Sequence, residues 1–148
     1  MKKLSFISFL LLFNFVLNAQ NNVTDIFKAD YRNQLFMDVE VALAEAQAQL
    51  GIIPAWAASE IKSKADLKNL SSEEIAKEQK EVKHSLVARL NVWKRSIDDG
   101  AAEYLHYGAT TVDIWDTVLV LQIKDSINLL IEDLLEIETY LLSPLLEY

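Results

Sequence analysis

The sequence predicts an all-α chain, and three observations carry that prediction. Gly occurs three times and Pro twice in 148 residues, too few breakers for a fold built on tight turns. Apolar residues recur at steps of three and four, the spacing that lines one face of a helix. Sustained alternation of β-branched and aromatic residues with polar ones, the mark of a strand, is nowhere evident. With 51% hydrophobic residues, one ordinary core is within reach of the composition.

The first nineteen residues differ from the rest. Lys2-Lys3 precedes an apolar run from Leu4 to Leu17 broken only by Ser5, Ser8 and Asn14, and Leu17-Asn18-Ala19-Gln20 offers a cleavage site after Ala19. Residues 1–19 therefore read as an export signal. The product is expected to be periplasmic or secreted, with a cytoplasmic location as the alternative if the segment is not a signal. The run is short for a span, so no stable membrane span is expected after cleavage.

Thr24-Asp25 opens a helical region with a break near Ala29-Asp30 that runs to Leu50. Leu35, Val39, Leu43, Ala46 and Leu50 form its expected buried stripe. Gly51 closes that helix and Pro54 suits the first position of the next. Ile61 to Asn69 reads as a helix end and a loop. Ser71-Ser72-Glu73-Glu74 has capping-box spacing and starts a helix expected to continue through Trp93, with Asp98-Asp99-Gly100 as its stop.

The last element is the longest, from about Asp113 to Leu142. Leu119, Ile123, Ile127, Leu130, Leu134, Ile137 and Leu141 make a coiled-coil-like seam. Val120, Leu121, Leu129, Ile131, Leu135 and Leu142 lie off it. A helix apolar on several sides must be surrounded by others, from other chains or from a longer protein.

The net charge of −8 argues against nucleic acid as a partner, because no basic stripe exists to displace counterions. The absence of Cys rules out disulfides and thiolate metal sites. Two histidines without a carboxylate cluster rarely hold Zn²⁺, so neither metal nor cofactor is expected. The richest stretch is Leu105-His106-Tyr107-Gly108-Ala109-Thr110-Thr111-Val112-Asp113. Gly108 permits a tight loop, Thr110 suits an N-cap, and Asp113 three residues on completes a box-like pair. Such a start offers free N–H groups, hydroxyls and an imidazole, a berth for carboxylate or phosphate.

The string His106-Tyr-Gly-Ala-Thr-Thr-Val-Asp-Ile-Trp-Asp-Thr117 resembles the H-x-G-x-T-S-x-D-x-x-D-T segment of the fumarase/aspartase superfamily, with Thr111 where Ser is usual. The adenylosuccinate lyase and carboxymuconate cycloisomerase branch looks nearest. Asp38 to Pro54 is similar to the opening helix pair of that family, and Glu81-Val-Lys-His84-Ser-Leu-Val to its E-x-K-H-D-x-V segment. The resemblance implies an N-terminal helical domain over 20–112 and, over 113–148, the first helix of a central bundle that assembles into a tetramer.

It also implies anti β-elimination from a small dicarboxylate-containing substrate, with fumarate-type release. Thr110 and Thr111 would hold a substrate carboxylate, and His84 and His106 would contact substrate. The alternatives are a carboxymuconate cycloisomerase-like enzyme, or a non-catalytic exported helical module that joins a partner bundle. Three family features are missing from this sequence. The T-H-x-Q segment that brings the general acid is absent, as is the S-S-x-M-P loop that brings the base. Where adenylosuccinate lyases carry a phosphate-gripping Arg-Tyr-Ser, this chain has Phe15, Val16 and Leu17. No turnover is therefore expected from this chain alone.

Overall fold

Two long helices set the frame. The structure is a computed structural model describing residues 22–143; the expected signal over 1–19 lies outside them. In chain order the helices are α1 (Val23–Ile26), α2 (Ala29–Gln49), α3 (Ala55–Ser63), a 3-10 turn (Leu67–Asn69), α4 (Ser72–Val82), α5 (Ser85–Lys94), α6 (Asp99–Ala102) and α7 (Thr111–Leu142). No strand occurs among the described residues. Helix α2 packs on α3 and α7, α4 on α5, α3 on α6, and α1 on α7.

Asn22 starts α1 by accepting the Thr24 N–H at 3.0 Å, which satisfies a donor the helix cannot. Helix α2 ends at a left-handed Gly51 (φ 72°), a conformation only glycine takes without steric penalty. Pro54 then sits just before α3, as its N-cap, rather than at its first position.

The buried face of α2 is Asn33, Phe36, Met37, Glu40, Val41 and Ala44. It is rotated from the expected stripe: Leu35, Val39 and Leu43 are half-buried, and Ala46 and Leu50 are exposed. The reason is aromatic packing. Phe36 lies with its ring centroid 6.0 Å from Trp93 and 5.8 Å from Trp115, so the face turned inward is the one that seats it. Burying each such side chain contributes about 1.5–3 kcal/mol. The Trp93 indole N–H is satisfied by the Lys64 carbonyl at 2.9 Å.

The helix expected from Ser71 through Trp93 is two helices. Lys83 adopts φ 54°, which ends α4, and the extended His84 restarts the chain as α5. The reversal brings Glu78 against Asn91, whose amide it accepts at 2.8 Å, and against Arg95. Ser71 precedes α4, but its hydroxyl makes no capping bond; Glu74 pairs loosely with Arg95 instead. Asp98 does not end α5, which stops at Lys94; its carbonyl instead takes the Ala101 and Ala102 N–H groups that begin α6.

Helix α7 begins at Thr111 and docks through Ile114, Val118 and Gln122. Gln122 donates to the Ile26 carbonyl at 2.6 Å, and the Tyr31 hydroxyl donates to Asp125 at 2.7 Å. The coiled-coil-like seam faces outward, with Leu119, Ile123, Ile127, Leu130, Leu134, Ile137 and Leu141 between 45% and 68% exposed. Residues 130 to 143 are all exposed.

Candidate active-site loop

The loop between α6 and α7 is pinned from both sides. Leu105 is buried in the core. His106 (φ 63°) and Gly108 (φ 70°) are both left-handed, and the histidine is the strained member of the two. From α2, Gln47 donates to the Tyr107 carbonyl at 2.7 Å. The chain then extends at Thr110, whose N–H is accepted by Asp113 at 2.9 Å. That contact closes the capping box read from the sequence and fixes the start of α7.

His106 points its Nδ1 at Oε1 of Glu40, 2.7 Å away. The Glu40 side chain is wholly shut off from solvent, while the imidazole keeps 17% of its surface exposed. Burial pushes the Glu40 carboxyl above the ordinary carboxylate value; His106 and, more weakly, Lys94 oppose the rise. The second oxygen, Oε2, has no partner among the described residues.

Of the four residues singled out in the sequence, His106, Thr110 and Thr111 lie within one loop and helix start. Thr110 is exposed and Thr111 half-buried. His84 sits apart in the chain as the exposed N-cap of α5, its Nδ1 accepting the Val87 N–H at 3.3 Å. Among the described residues no hydrogen bond links it to the other three. A cleft of about 400 Å³ opens between α1 and α7, lined by Asp25, Tyr31, Asp125 and Asn128 among others, and none of the four reaches it.

Glu40 joins the site without being among the residues that the sequence singles out. The available signal was a charged residue among apolar ones: Glu40 follows Phe36 and Met37 on their own face of α2. The described residues contain no group of three or more His, Asp or Glu able to hold a metal, and no described helix is long and apolar enough to cross a membrane.

No family model matches the chain, but individual relatives do. It is 37% identical over 123 residues to the adenylosuccinate lyase of Methanocaldococcus jannaschii, a match covering 83% of this chain and 27% of that enzyme. It is 39% identical over 126 residues to the N-acetyl-S-(2-succino)cysteine lyase of Dickeya dadantii, covering 82% and 28%. The 3-carboxy-cis,cis-muconate lactonizing enzyme of Pseudomonas putida shares the fold with a TM-score of 0.70 at 30% identity, over 76% of this chain and 26% of that one. The chain spans about a quarter of the length of these relatives. Alike in sequence and in helical architecture, the chain belongs to the fumarase/aspartase superfamily.

Proposed function

We propose that this chain is the N-terminal portion of an adenylosuccinate lyase-like enzyme acting on a small dicarboxylate. The reaction is anti β-elimination: a base removes the proton next to a carboxylate, and negative charge accumulates on that carboxylate's oxygens. The C–N or C–O bond then breaks, releasing a fumarate-type product and an amine or alcohol. One observation supports this reading above the rest: a threonine-capped helix start follows, within one pinned loop, an imidazole held in place from the core. Donors fixed before charge develops are what such a step requires, and a helix N-terminus supplies them to an anion.

In this reading Thr110 and Thr111 bind a substrate carboxylate, while His106 and His84 contact the substrate. The base and the general acid come from segments this chain lacks, so the site is completed by other parts of a homotetramer. The N-terminal domain runs up to α7, and α7 is the first bundle helix. Residues 1–19 export the protein to the periplasm or beyond.

A chimera tests the proposal. Residues 22–142 replace the matching quarter of the Dickeya dadantii or Methanocaldococcus jannaschii lyase, and product release is followed by ultraviolet absorbance. Turnover that falls on substitution of Thr111 or His106 supports it; a folded tetrameric chimera indifferent to both substitutions overturns it. A second reading, a cycloisomerase-like ring closure, draws on the likeness to the lactonizing enzyme. Turnover of a carboxymuconate but of no succinyl adduct would favour it. A non-catalytic module docking through α7 is the third, favoured by the outward apolar seam.

A further inference from the structure

Glu40 is a carboxylate on the apolar face of α2, flanked by Phe36, Met37, Val41 and Ala44. A charge so placed is costly unless it is paired and hydrogen-bonded. Yet only Oε1 is engaged, by His106, and Oε2 is left without a partner. The charged groups that face it are His106 from the loop and Lys94 from α5, and Lys94 makes no ion pair with it. His106 in turn holds a left-handed backbone, a conformation that persists when surrounding contacts over-determine it. Its Nε2 makes no hydrogen bond among the described residues and is not one of their enclosed, unpartnered polar atoms, so it is open to solvent.

The pair has two relevant proton arrangements. In one, Glu40 is ionised and a neutral His106 donates its only ring proton from Nδ1. The pair then carries a full negative charge inside the core, and Nε2 is a bare acceptor. In the other, one additional proton is present. It lies between Oε1 and Nδ1, the pair has no net charge, and Nε2 bears its own hydrogen. The enclosure of Glu40 and the lone Oε2 favour the second, because an uncompensated buried charge is the more expensive state. The direction in which burial moves the Glu40 carboxyl agrees.

We propose that Glu40 is a positioning residue: it shares one proton with His106, keeps the pair neutral, and so presents Nε2–H as a donor to an anionic ligand, not as a base. The proton arrangement stands on the pair alone; that the ligand is a substrate carboxylate rests on the lyase reading above.

Nitrogen-resolved imidazole spectra of the full chain at pH 7 test the arrangement. With two histidines in the sequence, His84→Ala leaves His106 alone. The expected result is a protonated Nε2 and a shared, strongly hydrogen-bonded proton at Nδ1. A bare Nε2 with the proton on Nδ1 alone overturns the proposal. In Glu40→Leu, or in Glu40→Gln where Leu prevents folding, the shared-proton signal must vanish; its persistence also overturns it.

In the chimeric enzyme, His106→Asn keeps an N–H donor and tolerates the left-handed backbone. It should lower kcat/KM about tenfold, the size of one lost or lengthened charge-assisted bond, with the shape of the pH–rate profile unchanged. Loss of the ascending limb of the pH–rate profile in His106→Asn would mark His106 as a proton-transfer base and overturn its donor role. An inactive chimera removes the lyase reading while the nitrogen spectra still decide the pair.

Discussion

Nε of Arg89 donates to Oδ1 of Asn33 at 2.9 Å, and both side chains are buried. The same guanidinium donates to the Ser85 carbonyl at 3.0 Å and lies 5.2 Å from the ring centre of Trp115. No carboxylate bonds it among the described residues, and burial, with Arg32 nearby, lowers its proton affinity. One cation held by an amide, a carbonyl and an aromatic face thus ties α2 and α5 to the first turns of α7, the helix that opens at the candidate site.

Removing one partner of that tie should be worse than removing both. Asn33→Leu strands a buried cationic donor and is expected to destabilise the chain by about 2–3 kcal/mol. Asn33→Leu with Arg89→Met removes the charge as well and should recover most of the loss. Urea unfolding of the single and double variants measures the coupling.

Stability should depend on pH through Glu40. Its folded-state carboxyl is raised above the ordinary value, so the folded chain holds a proton that the unfolded chain releases. The stability this contributes is fully present below the unfolded carboxyl value of about 4.3 and is lost as pH rises through the folded value. Glu40→Gln should therefore melt higher than the parent at pH 7–8, with the gap closing towards pH 4. Thermal unfolding across that range checks the sign.

Phe36 and the α7 seam should respond oppositely. Phe36→Ala empties the space between Trp93 and Trp115 and is expected to lose about 3–5 kcal/mol. Ile127→Lys with Leu134→Lys changes residues that are about half exposed or more and should shift stability by only about 0.5 kcal/mol each. Those two lysines should nonetheless abolish any self-association of the chain, read by sedimentation.

Thr110 and Thr111 should separate folding from binding. Thr110→Ala weakens the N-cap of α7 and should lose about 1 kcal/mol. Thr111→Val keeps the shape of a side chain whose hydroxyl makes no hydrogen bond among the described residues, so stability should barely move. In the chimera the same change should raise KM about tenfold. Denaturation and steady-state kinetics, run on both variants, distinguish the two roles.

The sequence carried what is local. Thr110 and Asp113 announced the start of α7 because a cap is written in four consecutive residues, and Gly51 announced the end of α2 because few other residues take its backbone angles. The break at Lys83 was hidden, since nothing about a lysine signals a left-handed turn; the reversal is imposed by α4 and α5 packing together. The buried face of α2 is rotated from the stripe its apolar spacing predicts for a related reason. Asn33 and Glu40 look like surface residues until Arg89 and His106 arrive from 56 and 66 residues away. A charge on an apolar face marks Glu40 as unusual within its own helix, but only the partner from elsewhere in the chain makes it a buried one.

Beyond Leu129, α7 runs on with every side chain in water. A detached helix of that length is marginal by itself, so its amide protons should exchange with solvent far sooner than those near Val118. Order in this stretch is thus on loan from whatever lies alongside it. Its gain of protection on meeting a neighbour would report assembly directly, whichever neighbour that proves to be.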